Sequence, residues 1–326
     1  MIMISVIIPL YNKAHTIVNT LNTVLNQTYH DFEVVIVNDG STDNGVEVIK
    51  QNFNDSRIRI INQKNAGVSA ARNRGIQESR GKWISFLDAD DEWMPNYLET
   101  VYQITDNCDD DVMIITGRFQ QNLKTRFRTY NIPKKYSNRI SEIKFFENPH
   151  VYVHISATTI NADVLKKNFK QWGSFIDGQK SNEDFTFLFK VALHMKAIYI
   201  GEPLSIYNGG VDNQATSTLK KQKKLDDYIL FLNNVIEEYF NISAKNIIFL
   251  RFMKYQFRHI ILQNLKRKDY HTIIYIFNHI SIKSSKVLIT WFEKYIFSKR
   301  NYCIISKLYI YLTKLIWRSH NYPVVK

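Results

Sequence analysis

Short apolar runs alternate with amphipathic stretches along the first part of the chain. The runs are rich in Val, Ile and Phe, which is typical of strands buried on both faces of a sheet. They cover residues 5–10, 32–37, 58–61, 83–87 and 112–116. Between them, apolar residues recur at helical spacing, as Ile17, Leu21 and Val24 do. Strands that alternate with helices over short connections predict right-handed βαβ units, and therefore an α/β fold with a mainly parallel sheet flanked by helices.

The pattern becomes weaker after the fifth run. Residues 120–139 are polar and basic without clear periodicity, and we predict a loop or lid there. The remaining predicted elements before residue 218 are helices at 142–146, 163–169 and 183–194 and strands at 156–160, 197–200 and 204–207. This region should therefore complete the same α/β domain.

The character of the chain changes beyond Leu219, where Lys, Tyr, Phe and Ile dominate. Helical spacing is found at 226–239, 244–265, 270–280, 286–297 and 304–317. No window contains the roughly 18 uncharged apolar residues that a membrane-spanning helix requires. We therefore predict an α/β domain at residues 1–218 and a basic α-helical C-terminal region at residues 219–326.

The net charge of +13 is concentrated in this second region. Residues 1–218 contain 23 Lys and Arg against 24 Asp and Glu, whereas residues 219–326 contain 20 against 6. Such an asymmetry indicates an anionic partner, and basic helices that also carry aromatic residues suit a membrane surface. A solvated basic face and association of copies through the aromatic helices are the alternatives. Nucleic acid is not expected as a partner, because no nucleic-acid-binding motif is present.

The cysteines and the N-terminal residues indicate in which cellular compartment the protein is expected. Cys108 and Cys303 lie far apart and have no metal-type spacing, which fits a reducing compartment better than a disulfide scaffold. The chain begins without a basic segment or a small-residue cleavage site, so we expect no signal peptide. The expected location is the cytoplasm.

Three carboxylates, Asp88, Asp90 and Asp91, directly follow the fourth apolar run. Ligands of open α/β sheets bind at the carboxyl ends of the strands. Asp88 and Asp90 offer hard oxygen ligands to Mg²⁺ or Mn²⁺, and the small Ala89 between them leaves room for diphosphate oxygens on the same ion. The alternative is a helix with an acidic first turn, in which Asp91 and Glu92 complement the helix dipole.

Two further positions are predicted to lie near this edge of the sheet. Asp39 ends the second strand, where a carboxylate can accept a hydrogen bond from a ribose hydroxyl or a base N–H, or simply form the turn before Gly40. The small residues of Asn65–Gly75 let a helix begin close to the sheet. Arg72, one turn into that helix, could contact phosphate or support the acidic cluster.

Five segments of the chain, taken in order, closely resemble the motifs of the family 2 glycosyltransferases, which have the Rossmann-like GT-A fold. They are Ser5–Asn12, Leu25–Tyr29, Val37–Asp43, Asn65–Gly75 and Phe86–Asp91. The resemblance is strong over about residues 4–117 and continues more weakly to about residue 217. It implies an inverting sugar transfer, of hexosyltransferase type, from a nucleoside diphosphate donor that is usually a UDP-sugar.

The resemblance also implies roles for single residues. Those that match nucleotide-holding positions are Pro9, Tyr11, Asp39 and Arg72. Those that match contacts to the ribose and to the metal-bound diphosphate are Asp88 and Asp90, with Ala89 between them. The expected cofactor is Mn²⁺ or Mg²⁺, ligated by Asp88 and Asp90.

The segment Ser181–Phe185 resembles the acidic pair at the start of a helix that supplies the family's general base. The chemistry requires such a group, because the acceptor hydroxyl must lose its proton as it attacks the anomeric carbon. We assign Asp184 as the base and Glu183 to acceptor hydroxyls or to support of the base. Many relatives carry a Tyr-Arg pair or a His after this helix, and residues 206–217 contain neither Arg nor His.

Together these features predict a metal-dependent inverting glycosyltransferase that is peripheral at the inner face of the cell membrane. Its expected partners are a nucleotide-sugar donor and a lipid-linked saccharide acceptor from capsule or O-antigen synthesis, and a homo-oligomer is compatible with the aromatic helices. The alternative is a non-catalytic protein that binds a nucleotide sugar or a membrane surface. A nucleotidyltransferase is disfavoured, because Pro9–Lys13 provides no glycine-rich phosphate loop.

Overall fold

A computed structural model of the chain describes residues 3–122, 127–130, 132–148, 151, 153–210, 219–242 and 247–288. The predicted helix at 304–317, most of the one at 286–297, and Cys303 lie outside these residues. The chain divides into two compact units, residues 1–143 with 151–220, and residues 144–150 with 221–326. The predicted division into domains at residues 218 and 219 stays a prediction.

The first unit is built on one sheet, to which the described residues contribute ten strands. The strands are β1 Ile4–Leu10, β2 Phe32–Asp39, β3 Ile58–Gln63, β4 Trp83–Phe86, β5 Glu92–Trp93, β6 Val112–Asn122, β7 Phe127–Tyr130, β8 Ile140–Ile143, β9 Thr158–Asn161 and β10 Lys196–Gly209. The helices are α1 Ile17–Leu25, α2 Gly45–Asn52, α3 Val68–Glu78, α4 Tyr97–Thr105, α5 Ala162–Lys167 and α6 Glu183–His194. The order across the sheet is β3-β2-β1-β4-β9-β6-β10-β5, with β7 on β6 and β8 on β10.

The predicted βαβ arrangement is confirmed in the first four strands. Parallel pairing joins β3 to β2, β2 to β1 and β1 to β4, and it also joins β6 to β10. The rest of the sheet is mixed, because β9 runs antiparallel to both β4 and β6. The carboxyl ends of β1, β2 and β4 therefore meet at one edge, as the sequence pattern predicts.

Helix α3 lies very close to the middle of the sheet. A Cβ atom at Gly75 would be 2.4 Å from Cγ2 of Ile7, so only glycine permits this approach of the helix to β1. Gly67, with φ of +93°, turns the chain into the helix. Arg72 lies on the same helix and is thereby brought to the edge of the sheet.

Several weaker predictions are wrong. Residues 120–139 do not form a featureless loop, because β6 extends to Asn122, β7 pairs with it, and Lys134–Tyr136 form a short 3-10 turn. The predicted helix at 142–146 is divided between the end of strand β8, which pairs with β10, and a short 3-10 turn at Phe145–Glu147. The two predicted strands at 197–200 and 204–207 are one strand with an irregularity at Pro203. The end of β6 and β8 both pair with the distant β10, which a local pattern does not reveal.

The second unit contains helices α7 Lys221–Asn241, α8 Ile247–Lys266, α9 Tyr270–His279 and α10 Ile282–Leu288. The predicted helices at 226–239 and 270–280 are confirmed, and the one at 244–265 is confirmed from residue 247 onward. Aromatic rings form part of its core, where Phe146 packs edge-to-face against Phe249 and Phe252, and Phe249 stacks on Tyr239. None of the helices in the described part of the chain is both long and apolar enough to cross a membrane.

Candidate active site

The predicted site residues gather where β1, β2 and β4 end. The register of β1 and β2 pairs Leu10 with Asn38, so the next residues, Tyr11 and Asp39, emerge side by side. Asp88 follows the parallel neighbour β4 at the same edge. Tyr11 is 47% exposed there. The other predicted nucleotide contacts are Pro9, within β1, and Ala89 and Asp90, directly after Asp88.

Asp39 is almost completely buried and anchors the loop that leads into α3. Its carboxylate accepts hydrogen bonds from the backbone N–H groups of Ala66 and Gly67, at 2.9 and 2.8 Å, and from Gln63 Nε2 at 2.8 Å. The turn alternative also holds, because Gly40 follows with φ of +68°. Asp39 therefore fixes the loop Gln63–Gly67 against the carboxyl end of β2.

Arg72 joins two predicted parts of the site that are distant in the sequence. Its guanidinium, only 2% exposed, donates from Nη2 to Asp88 Oδ1 at 2.7 Å and from Nη1 to Glu183 Oε1 at 3.1 Å. The same group lies over the ring of Phe175, 5.2 Å from its centre. Arg72 therefore supports the acidic cluster, which is one of the two roles that the sequence suggested for it; the other is contact with phosphate.

The acidic pair Glu183 and Asp184 occupies the first turn of α6. Asp184 Oδ1 accepts the backbone N–H of Phe185 at 2.8 Å. Burial and the negative charge of Glu183 raise the pKa of Asp184 to about 7, against an opposing effect of Arg72. A carboxylate with a pKa near neutrality is suited to accept a proton and to release it again.

The acidic loop after β4 is not the first turn of a helix, so that alternative is wrong. Glu92 and Trp93 form β5, and the next helix begins at Tyr97. Asp91 is buried, accepting hydrogen bonds from Ser156 Oγ at 2.6 Å and from the Asn208 N–H at 3.1 Å. Burial and the charges of its two acidic neighbours raise the pKa of Asp91 well above its ordinary value.

His154 completes a cluster that sequence reasoning missed. Ligand atoms of Asp88, Asp91 and His154 all lie within 4.8 Å of one another. Within the described residues, the buried Nδ1 of His154 has no hydrogen-bond partner and lies 3.7 Å from Asp91 Oδ2. Burial lowers the pKa of His154 to about 3, which leaves the imidazole neutral. Two carboxylates and an imidazole fit a divalent ion such as Mn²⁺.

Asp90 differs from Asp88 in its partner. Its Oδ2 accepts from Lys13 Nζ at 2.6 Å, and Lys13 is a second residue that sequence reasoning missed. Burial raises the pKa of Asp90, with a further contribution from Asp88, while Lys13 acts in the opposite direction. For Asp88, burial is the largest single effect and acts to raise the pKa, but the charge and hydrogen bond of Arg72, together with the other positive groups nearby, outweigh it and the pKa is lowered. The predicted metal ligands Asp88 and Asp90 are therefore neighbours with different counter-ions.

Comparison with known proteins places these features in a family. The family model for glycosyl transferase family 2 matches residues 5–169. An uncharacterised glycosyltransferase of Rickettsia bellii is 48% identical over 96 residues, which are 29% of this chain and 14% of that protein. The uncharacterised glycosyltransferase RT0329 of Rickettsia typhi is 27% identical over 322 residues, 96% of each chain.

The fold has a counterpart among solved structures. The crystal structure of S. aureus TarS 1-349 in complex with UDP-GlcNAc matches with a TM-score of 0.71 at 16% identity. The match covers 94% of this chain and 88% of that one. The chain therefore has the GT-A fold that the sequence motifs predict.

Replacing Arg72 by Met should lower the free energy of unfolding by about 3–5 kcal/mol, because Asp88 and Glu183 would lose their buried counter-ion. The loss should be smaller near pH 5 than near pH 8. Without their cation the two carboxylates take up protons at a higher pH than in the parent, and a neutral carboxyl group is less costly to bury than a charged one. Urea denaturation at several pH values measures both effects.

Arg74→Met is the matched control, because Arg74 is 54% exposed and pairs with Glu78 on the helix surface. It should cost less than about 1 kcal/mol at every pH. Equal losses for the two variants would contradict a central structural role of Arg72.

Proposed function

The chain belongs to glycosyl transferase family 2 and is a glycosyltransferase, and on this premise we propose that it transfers a sugar from a UDP-sugar to a hydroxyl of a lipid-linked saccharide, with inversion. One observation carries the proposal: Arg72 brings Asp88 and the Glu183–Asp184 pair together at the carboxyl edge of the sheet. A donor-binding residue and a base thereby share one site. The UDP-GlcNAc bound to S. aureus TarS supports a UDP-sugar as donor.

In this proposal the donor lies across the ends of β1, β2 and β4. Pro9, Tyr11 and Asp39 hold the nucleoside, with the exposed ring of Tyr11 available for stacking. Asp88 and Asp90, separated by the small Ala89, face the ribose and the diphosphate. A divalent cation held by Asp88, Asp91 and His154, whose ligand atoms lie together, with Asp90 as the further ligand that the motif predicts, would neutralise charge on the leaving diphosphate. Mn²⁺ and Mg²⁺ both suit the carboxylates, and the imidazole favours Mn²⁺.

Asp184 acts as the general base. It takes the proton of the acceptor hydroxyl while that oxygen forms a bond to the anomeric carbon of the donor. The bond from this carbon to the UDP oxygen breaks on the opposite face, and UDP leaves with the electron pair. One displacement inverts the anomeric configuration, so an α-linked donor gives a β-linkage. Glu183, engaged with Arg72, orients the acceptor and does not take the proton.

The proposed acceptor is a lipid-linked intermediate of a surface polysaccharide, such as capsule or O-antigen, met at the inner face of the membrane. The basic second unit supports this placement. Lys266, Arg267 and Lys268 are exposed together at the end of α8, where they can reach anionic headgroups. A solvated basic surface and contact between copies are the competing explanations.

Calorimetric titration of the purified chain with UDP, with and without Mn²⁺, tests the donor class. We expect metal-dependent binding of UDP and slow hydrolysis of one member of a UDP-sugar panel. Binding of another nucleoside diphosphate in place of UDP would contradict the UDP assignment. UDP-sugar binding without hydrolysis or transfer in any condition would favour the non-catalytic alternative.

Asp184→Asn should lower the rate of transfer about a thousandfold and leave UDP affinity unchanged, because the amide cannot accept the proton. In the unsubstituted enzyme the rate should fall as the pH drops below about 7, where the base becomes protonated. Asp163→Asn is the matched control, since Asp163 occupies the first turn of α5 and is exposed. A full rate for Asp184→Asn would rule out this residue as the base.

Vesicle sedimentation tests the membrane proposal. The chain should bind vesicles that contain phosphatidylglycerol more tightly than vesicles of phosphatidylcholine alone, and less tightly at high salt. Replacing Lys266, Arg267 and Lys268 by Gln should weaken binding about a hundredfold, at about 1 kcal/mol for each charge. The control replaces three exposed lysines of the first unit, Lys50, Lys82 and Lys134. Equal effects of both triple variants would show a nonspecific charge effect and contradict a docking surface at 266–268.

A further inference from the structure

The ion pair between Lys13 and Asp90 is a second charged contact at the site, distinct from that of Arg72. Lys13 follows β1 and Asp90 follows β4, and their Nζ and Oδ2 atoms are 2.6 Å apart. The side chains are only 13% and 15% exposed, so solvent screens the pair weakly. The family motifs found in the sequence include neither this contact nor a role for Lys13.

The backbone around Lys13 is held in place from both sides. Asn12, with φ of +52°, accepts the N–H of Thr42 on its side-chain oxygen at 2.8 Å. The N–H of Ala14 donates to Asp43 Oδ2 at 2.9 Å. The lysine side chain therefore extends from an anchored backbone.

The same loop is also tied to the acidic segment. Thr16 Oγ1 donates to the carbonyl oxygen of Ala89 at 2.8 Å, one residue before Asp90. Lys13 and Asp90 are thus carried by two loops that are bonded to each other. Movement of the lysine can occur by rotation of its side chain, with both loops kept in place.

Charge balance makes Lys13 the counter-ion of Asp90. The guanidinium of Arg72 is committed to Asp88 and Glu183. Without Lys13, Asp90 would remain a partly buried carboxylate beside two others, which is unfavourable. The ammonium therefore stabilises the acidic loop in the absence of ligands.

We propose that Lys13 is an exchangeable counter-ion, which occupies the metal-ligating carboxylate of Asp90 in the free enzyme and transfers to the diphosphate when the donor binds. The inference rests on the proposed function, in which Asp90 ligates a divalent cation. A divalent cation on that carboxylate would lie beside the ammonium, and repulsion between the two positive charges displaces Lys13 from Asp90. Without a nucleotide, the ammonium then has no new anionic partner. With the donor present, the diphosphate supplies one.

The consequence is a coupling between metal and nucleotide. Lys13 opposes binding of a cation alone and favours binding of a cation together with a diphosphate. By linkage, the nucleotide must raise the affinity for the cation by the same factor as the cation raises the affinity for the nucleotide. Lys13 is in this sense a positioning residue that acts through Asp90.

Titration of the full chain with Mn²⁺, followed by electron paramagnetic resonance of the free ion, tests this without any activity measurement. Lys13→Met should bind Mn²⁺ about tenfold more tightly than the parent when UDP is absent, equivalent to about 1.4 kcal/mol. The gain in Mn²⁺ affinity caused by UDP should shrink by a similar factor. Lys13→Arg keeps the cation and should restore the behaviour of the parent.

Lys82→Met provides a matched control. Lys82 lies just before β4, at the end of the strand opposite to the site, and forms a 2.9 Å ion pair with Asp110. It should leave Mn²⁺ binding unchanged. Mn²⁺ affinity of Lys13→Met equal to or weaker than that of the parent, without UDP, would overturn the proposal. So would a loss of UDP affinity with unchanged coupling, which indicates a plain diphosphate contact.

Different results would contradict the proposed donor class and the proposed role of Lys13. If the parent chain does not bind UDP in the presence of Mn²⁺, the proposed donor class is wrong. If the parent binds UDP with Mn²⁺ and Lys13→Met shows no gain in Mn²⁺ affinity, only the role of Lys13 is wrong. Thermal unfolding of each variant checks that it is folded, and Lys13→Gln, which also removes the charge, keeps the test decisive if Lys13→Met is unstable.

Discussion

The buried guanidinium of Arg72 is the interaction on which the site depends. It neutralises Asp88, just after β4, and Glu183, at the start of α6. Strands β5 to β9 lie between these two residues along the chain. Buried carboxylates are costly unless they are paired and hydrogen-bonded, so these two segments can meet only around a cation. The position of that cation depends in turn on Gly75, because a larger residue would move α3 away from β1. Close packing of a helix on the sheet thus allows the acidic groups to converge.

The same cation gives neighbouring carboxylates different properties. Asp88 contacts Arg72 directly, and its pKa is lowered despite burial. Asp184 lies in the same site without that direct contact, and burial together with Glu183 raises its pKa to about 7. Acid–base sites commonly contain carboxylates whose pKa values are separated by their surroundings. Here Asp88 stays ionised, as a ligand for a cation must be, while Asp184 exchanges its proton near neutral pH.

The sequence predicted the parts of the structure that depend on local pattern. Strands β1–β4 and the helices between them follow from apolar periodicity, and their topology alone places Asp39 and Asp88 at one edge. His154 was not predicted, since a single histidine within an apolar run resembles an ordinary core residue until β9 is placed beside β4. Lys13 was missed for the same reason, because its partner is 77 residues away. Strand β8 was misread as a helix because its partner, β10, is distant too.

Electrostatics explains why such a site would bind its metal and its donor together. Among the described residues, Asp88, Asp90 and Glu183 are paired with two cations, Arg72 and Lys13. Asp91 and Asp184, whose pKa values are raised, add further negative charge as they ionise. His154 adds no positive charge, because its buried imidazole is neutral. A diphosphate that approaches this edge would meet net negative charge in a region of low dielectric constant, where repulsion is strong. A divalent cation reverses that balance, and its own binding is favoured by the same carboxylates. The acidic excess therefore disfavours a bare nucleotide and favours the nucleotide as its metal complex.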